Sequence, residues 1–176
     1  MKFVASRLSG AYTVLPERIE DERGAFARTW CVREFGAAGL STAVVQSNVS
    51  TNLRRGTLRG MHYQVAPNAE VKIVRCSRGA IFDVMLDLRP GSPTFRQWEG
   101  VELSAANGTA LYIPEGFAHG FQTLTDEAAV EYQMSAFHVP EAARGVRYDD
   151  PAFGIVWPVP VSSLSPRDAA YPDFPG

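Results

Sequence analysis

AVVQSNVSTN (43–52), GTLRGMHYQ (56–64), VKIVRCS (71–77) and AIFDVMLDL (80–88) follow one another as short runs rich in Val, Ile, Thr and aromatic residues, parted by Gly, Pro and Asn. Each run is the length of a strand and favours a pleated, half-buried backbone. The texture continues through FRQWEGVEL (95–103), TALYI (109–113) and AVEYQMSAF (129–137). Many short strands at close spacing predict an all-β sandwich or barrel. Arg78-Gly79, Pro90-Gly91-Ser92-Pro93 and Asn107-Gly108 punctuate the runs as hairpin turns, the last suited to a type I′ turn, so antiparallel pairing is expected.

Outward from this centre the signals weaken. Ser9 to Leu15 alternates loosely and reads as a first strand, Pro16 to Gly24 as a charged loop, and Ala25 to Trp30 as another strand. Val32 to Ala38 predicts a short helix closed by Gly39. After Pro140, residues 141–176 loosen into an irregular segment laid across the barrel, with one helical turn in LSPRDAAYPDFPG. Residues 1–176 read as one domain, with a composition of 45% hydrophobic and 20% charged residues that suits a folded core.

A net charge of -2 argues against a nucleic-acid or anionic-membrane partner, so any anion must be held by local arginines. The opening residues lack an apolar run of signal-peptide length and no window is long enough to span a bilayer, which predicts a cytoplasmic protein. Cys31 and Cys76 have neither metal-ligand nor disulfide-framework spacing, and both read as small buried apolar groups.

Strand parity sorts the chemistry, because residues two apart share a face. In AIFDVMLDL the face Ala80, Phe82, Val84, Leu86, Leu88 is wholly apolar and predicts the core face, leaving Asp83 and Asp87 toward water or a cleft. Lys72 lines up with Val74 and Cys76, at a rim or facing a pocket. Arg59 and His62 have opposite parity, but Gly60 between them suits a bulge that would turn both into one cavity.

GTALYIPEGFAHGF (108–121) resembles the second motif of the cupins, which are double-stranded β-helix proteins of the jelly-roll kind, and Gly56 to His62 resembles the start of the first. A metal-binding cupin would carry a histidine where this chain has Gln64 and a glutamate where it has Lys72. His62 and His119 alone make too few ligands, and an ammonium repels a cation, so no metal is expected.

RGTLRGMHYQ, FDVMLDLRPGSPTFRQWEGVELS, LYIPEGFAHGF and DERGAF together resemble the dTDP-4-dehydrorhamnose 3,5-epimerases, the RmlC-type sugar nucleotide epimerases, from about Leu15 to Asp168. The resemblance implies a homodimer of jelly-roll subunits that inverts C3 and C5 of a nucleotide-linked 4-keto-6-deoxyhexose without metal or organic cofactor. A variant activity in the same fold inverts only one of the two carbons. By the same resemblance His62 is the base, Asp168 orients it, Lys72 holds the enolate oxygen and Tyr132 is the acid on the far face. Arg23 and Arg59 would hold the diphosphate, Phe26 would pack on the base in the partner's site, and Gln46 and Asn48 would add polar contacts. His119, backed by Asp83, would stand near the sugar. The chain departs from the pattern at Ile19, Arg28, Phe137, His138 and Ala143, and His138, sharing parity with Tyr132, is expected in the same pocket.

Overall fold

The computed structural model describes residues 1–175. Its strands are β1 (Lys2–Ala5), β2 (Tyr12–Leu15), β3 (Arg18–Asp21), β4 (Gly24–Ala27), β5 (Gln46–Asn52), β6 (Leu58–Gln64) and β7 (Lys72–Arg78), followed by β8 (Ala80–Asp87), β9 (Trp98–Ser104), β10 (Ala110–Ile113), β11 (Phe117–Thr123), β12 (Ala128–Met134) and β13 (Ala143–Gly145). The helices are α1 (Val32–Ala37) and α2 (Pro166–Ala169). One sheet runs β1-β2-β10-β7-β12-β5 and the other β13-β6-β11-β8-β9, with β3 and β4 paired only to each other. All pairs within the sheets are antiparallel, giving the cupin-like, all-β fold.

The two sheets enclose a core of Leu8, Val74, Cys76, Ile81, Met85, Leu103, Leu111, Phe121 and Val130. Val74 and Cys76 point inward with Lys72, so the lysine's face is the inner face of β7. β8 is buried on both sides. Its apolar face, Phe82, Val84, Leu86 and Leu88, meets Phe153, Ile155, Trp157 and Phe174 of the C-terminal segment. Asp83 and Asp87 therefore face the barrel interior, fully buried, rather than water. A buried carboxylate needs partners: Asp83 has His119, and Asp87 has Arg89, Ser92 and Thr94.

Several local expectations change. The first strand is Lys2–Ala5, ahead of the predicted one, and PERIEDERG is no loop, since it supplies most of the β3–β4 hairpin. Pro90 to Pro93 does join a hairpin, β8 to β9. Arg78-Gly79 and Asn107-Gly108 instead carry the chain from one sheet to the other. At the second of these Asn107 is not in the left-handed region; its side-chain oxygen accepts from the Ser104 and Thr109 amides, and only Gly108 has positive φ. FAHGFQT forms β11 at the centre of its sheet, and β13 adds a short strand within the segment read as irregular. Cys76 is buried, whereas Cys31 precedes α1 and is only partly so.

Candidate active site

The bulge predicted at Gly60 is present. His62 pairs with His119 and Arg59 with Phe121, so β6 spends three steps where β11 spends two. Gly60 holds φ of 133°, and a Cβ there would lie 2.5 Å from the Gly120 Cα. Only a residue without a side chain fits this close approach. The extra residue cancels the parity difference, and both Arg59 and His62 line the same cavity.

That cavity, of about 390 Å³, is also lined by Gln46, Asn48, Lys72, His119, Tyr132 and His138. Arg59, His62 and Tyr132 line a second cavity of about 490 Å³ as well, together with Ser50, Ser163, Arg167 and Asp168. His62 and Tyr132 thus stand where the two spaces share a wall.

α2 brings Asp168 back to β6. Ser165 caps the helix by accepting from the Asp168 amide at 3.0 Å, with Pro166 in the first turn, a local N-terminal signature. The carboxylate, 4% exposed, meets His62 Nε2 at 2.7 Å and accepts from the Gly60 amide at 3.3 Å. Burial alone would push the Asp168 carboxyl up, but the His62 hydrogen bond and charge and the Gly60 amide prevail and hold it below its ordinary value. An ionised carboxylate only accepts, so His62 donates from Nε2 and keeps a lone pair on Nδ1.

Lys72 is 9% exposed; its ammonium donates to the His62 carbonyl oxygen at 3.2 Å and lies 3.0 Å from Glu70 Oε1. His119 Nε2 lies 2.9 Å from Asp83 Oδ2 on neighbouring strands, a second buried histidine–carboxylate pair. Arg59 Nε donates to Asn52 Oδ1 at 2.8 Å, and Gln46 Nε2 donates to Asn48 Oδ1 at 3.1 Å. Beyond the end of β12, where strand parity no longer applies, His138 is exposed and its amide donates to Gln46 Oε1.

Arg23 and Phe26 are not brought to this cavity. Both lie exposed on the β3–β4 hairpin, where Arg23 pairs with Asp21, and Ile19 is exposed beside them. Arg28 pairs with Glu34 instead of facing the cavity, while Ala143 does line it. Glu70, Arg144 and Arg167 line it too, unforeseen from the sequence. Parity held a clue to the first, two residues before Lys72 on the same face, and adjacency to Asp168 held one to the last. Among the described residues no group of three or more His, Cys, Asp or Glu side chains gathers as a metal site, and no helix is long and apolar enough to cross a membrane.

Histidine, lysine and tyrosine around one cavity, with arginines at its border, suit proton transfer beside a carbonyl on an anionic substrate. A family model described as dTDP-4-dehydrorhamnose 3,5-epimerase matches residues 5–175. The dTDP-4-dehydrorhamnose 3,5-epimerase of Sinorhizobium fredii is 40% identical over 175 residues, covering 99% of this chain and 90% of the relative. The crystal structure of the Bacillus anthracis enzyme of that name, with TDP and PPi bound, superposes with a TM-score of 0.95 at 37% identity, covering 98% of this chain and 99% of that one. The Legionella pneumophila dTDP-6-deoxy-D-glucose-3,5-epimerase, in complex with dTDP-4-keto-L-rhamnose, gives 0.91 at 36%, covering 97% and 90%. The chain belongs to the dTDP-4-dehydrorhamnose 3,5-epimerase family.

Proposed function

We propose that this protein is an isomerase that inverts C3 and C5 of dTDP-4-dehydro-6-deoxy-D-glucose to give dTDP-4-dehydro-L-rhamnose. The observation that carries the reading is the His62–Asp168 pair at 2.7 Å on a cavity wall shared with Lys72 and Tyr132. A C–H beside a ketone is a weak acid, so its removal needs a base, a stabilised oxyanion and a returning proton. His62 Nδ1 takes the proton, and the C–H electron pair moves into the C–C bond as the carbonyl becomes an enolate. Lys72 balances the charge on the enolate oxygen. Asp168 keeps the ring in the required tautomer and balances the imidazolium, as in other histidine–carboxylate dyads. Tyr132 then gives its phenolic proton to the opposite face of the carbon, and the enolate collapses to the ketone. Imidazolium His62 then releases its proton to water and phenolate Tyr132 takes one from water, which resets both groups for the second carbon.

Arg59 binds the diphosphate, since a guanidinium fork matches phosphate oxygens. His119, oriented by Asp83, faces the sugar, while Gln46, Asn48 and His138 line the approach. The enzyme works as a homodimer in the cytoplasm, and Arg23 and Phe26 of the exposed hairpin serve the partner's site. In support, β5 ends its sheet as an edge unpaired among the described residues, with Val49 on it and Val45 and Leu53 just beyond its ends exposed, and such an edge gains by pairing.

The test is incubation with the dTDP-linked 4-keto-6-deoxyglucose in D2O, with deuterium located by NMR. Label at both C3 and C5 is expected. Label at one carbon would make the enzyme a mono-epimerase, and no label despite nucleotide binding would overturn the enzymatic reading.

A further inference from the structure

Glu70 is the one acidic side chain lining the 390 Å³ cavity among the described residues, and the mechanism above makes no use of it. It sits just ahead of β7, 6% exposed, with Oε1 3.0 Å from the Lys72 ammonium. Its second oxygen, Oε2, is buried without a hydrogen-bond partner among the described residues.

This arrangement is a poor way to gain stability. Removing a carboxylate and an ammonium from water is costly for each ion, and their attraction offsets that only when the remaining lone pairs are satisfied. Here one oxygen is left bare, which adds the desolvation penalty of an unsatisfied charged group. An apolar side chain would fill the same wall without either penalty. The feature asks for an explanation in what it does to Lys72.

A lysine has four rotatable side-chain bonds and, unlike arginine, no planar fork to set its direction. Held only by the His62 carbonyl oxygen, the ammonium could swing toward the lone pairs of any substrate oxygen, phosphate included. With Glu70 on one side and the His62 carbonyl on another, two fixed acceptors define where the nitrogen sits. An ammonium has three donors, so donor capacity is left over for a carbonyl oxygen. Because one anchor is the backbone of His62 itself, the electrophile is placed relative to the base.

We propose that Glu70 is a positioning residue for the epimerisation, fixing the Lys72 ammonium between its own carboxylate and the His62 carbonyl so that the lysine meets the enolate oxygen. The proposal rests on the epimerase reading, and it treats Glu70 as acting through Lys72 without touching the substrate.

The test uses full-length Glu70→Gln and Glu70→Ala, each alone and with Lys72→Ala, assayed for turnover and for deuterium wash-in on the dTDP-linked 4-keto sugar. Misplacing a reacting group by an ångström costs up to about 100-fold in rate. E70A is therefore expected to lower kcat about 30- to 100-fold while KM stays within about threefold. E70Q, which keeps an acceptor oxygen toward Lys72 and fills the same volume, should recover part of the loss, and it also serves if E70A does not fold. The decisive expectation is non-additivity: K72A with either Glu70 change should be no slower than K72A alone. A kcat within threefold of wild type in E70Q and E70A, or losses that multiply with that of K72A, would overturn the proposal. Inactive wild-type protein would instead overturn the epimerase reading on which it stands.

Discussion

At the scale of single residues the chemistry turns on which nitrogen of His62 is free. Nε2 is committed to Asp168, which leaves Nδ1 as the base of the proposed mechanism, and the commitment comes from a side chain 106 positions along the chain. Asp168→Asn preserves volume but can present an amide hydrogen to Nε2, allowing the wrong tautomer. It is expected to lower kcat by about 10²–10⁴ with KM within a few-fold, read from initial rates. His62→Ala should abolish deuterium exchange at both carbons while the melting temperature stays nearly unchanged, because the His62 side chain is 42% exposed and its loss opens Asp168 to water in the cavity. A large drop in melting temperature would mark His62 as structural. Which residues gather here was only partly legible beforehand. The alignment of Lys72 with Val74 and Cys76, and the bulge at Gly60, followed from parity. Arg144 did not, because the three-residue β13 that carries it is too short to show an alternation that says which way a side chain faces.

At the scale of elements, strands were legible where burial is one-sided or the run is β-branched, and illegible where pairing alone makes them. β11 is buried along its whole length, and its glycine and histidine hide it from any alternation test. Exposed throughout on β3 and nearly so on β4, the hairpin has no apolar face to announce a strand. Gly79 and Asn107-Gly108 show the converse: the same turn residues serve a hairpin or a passage between sheets, and distant pairing decides which. The β8–β9 hairpin is locked by Asp87, which accepts from Arg89 Nε at 2.8 Å, Arg89 Nη2 at 2.7 Å and Thr94 Oγ1 at 2.6 Å. Burial would raise this carboxyl, but those donors win and hold it at about 2, against 3.8 for an ordinary aspartate. Its folded-state value is depressed, so its contribution is present above about pH 4 and lost as the pH falls toward 2. That contribution is about 2 kcal/mol, so urea midpoints should fall over that window in the wild type, and Asp87→Asn should lack this part of the fall. The bulge makes a second demand. Gly60→Ala forces a Cβ against the Gly120 backbone and should cost about 1–3 kcal/mol or more by denaturant titration, with activity reduced in the protein that remains folded.

For the whole molecule, the cavity is assembled from both sheets and the returning C-terminal segment. Gln46, Asn48, Lys72 and Tyr132 come from one sheet, Arg59, His62 and His119 from the other, and Arg167 from α2, whose Asp168 meets His62 from the adjoining cavity. No local pattern predicts that a tail residue will pair with a strand residue 106 positions away; only likeness to a family supplied Asp168 in advance. The same likeness supplied Arg23 and Phe26, and these two the single chain leaves outside, on a hairpin that among the described residues pairs only with itself. A diphosphate site lacking one of its arginines is what one half of a dimer would look like if each hairpin served its neighbour. β5 is the edge we propose for such a neighbour, because Val49 on it and Leu53 just past its end stand 63% and 80% exposed while Gln46 and Asn48 of the strand face the cavity. Lysines on that edge oppose pairing by charge without touching the inward face. Val49→Lys with Leu53→Lys should therefore shift the mass measured by light scattering from dimer to monomer and leave the circular dichroism unchanged. If the partner's Arg23 and Phe26 complete the site, kcat/KM on the dTDP-linked substrate should fall at least tenfold in the same variant. A monomer with full activity would return both residues to the role of solvated hairpin side chains, and a variant that remains a dimer would move the interface elsewhere.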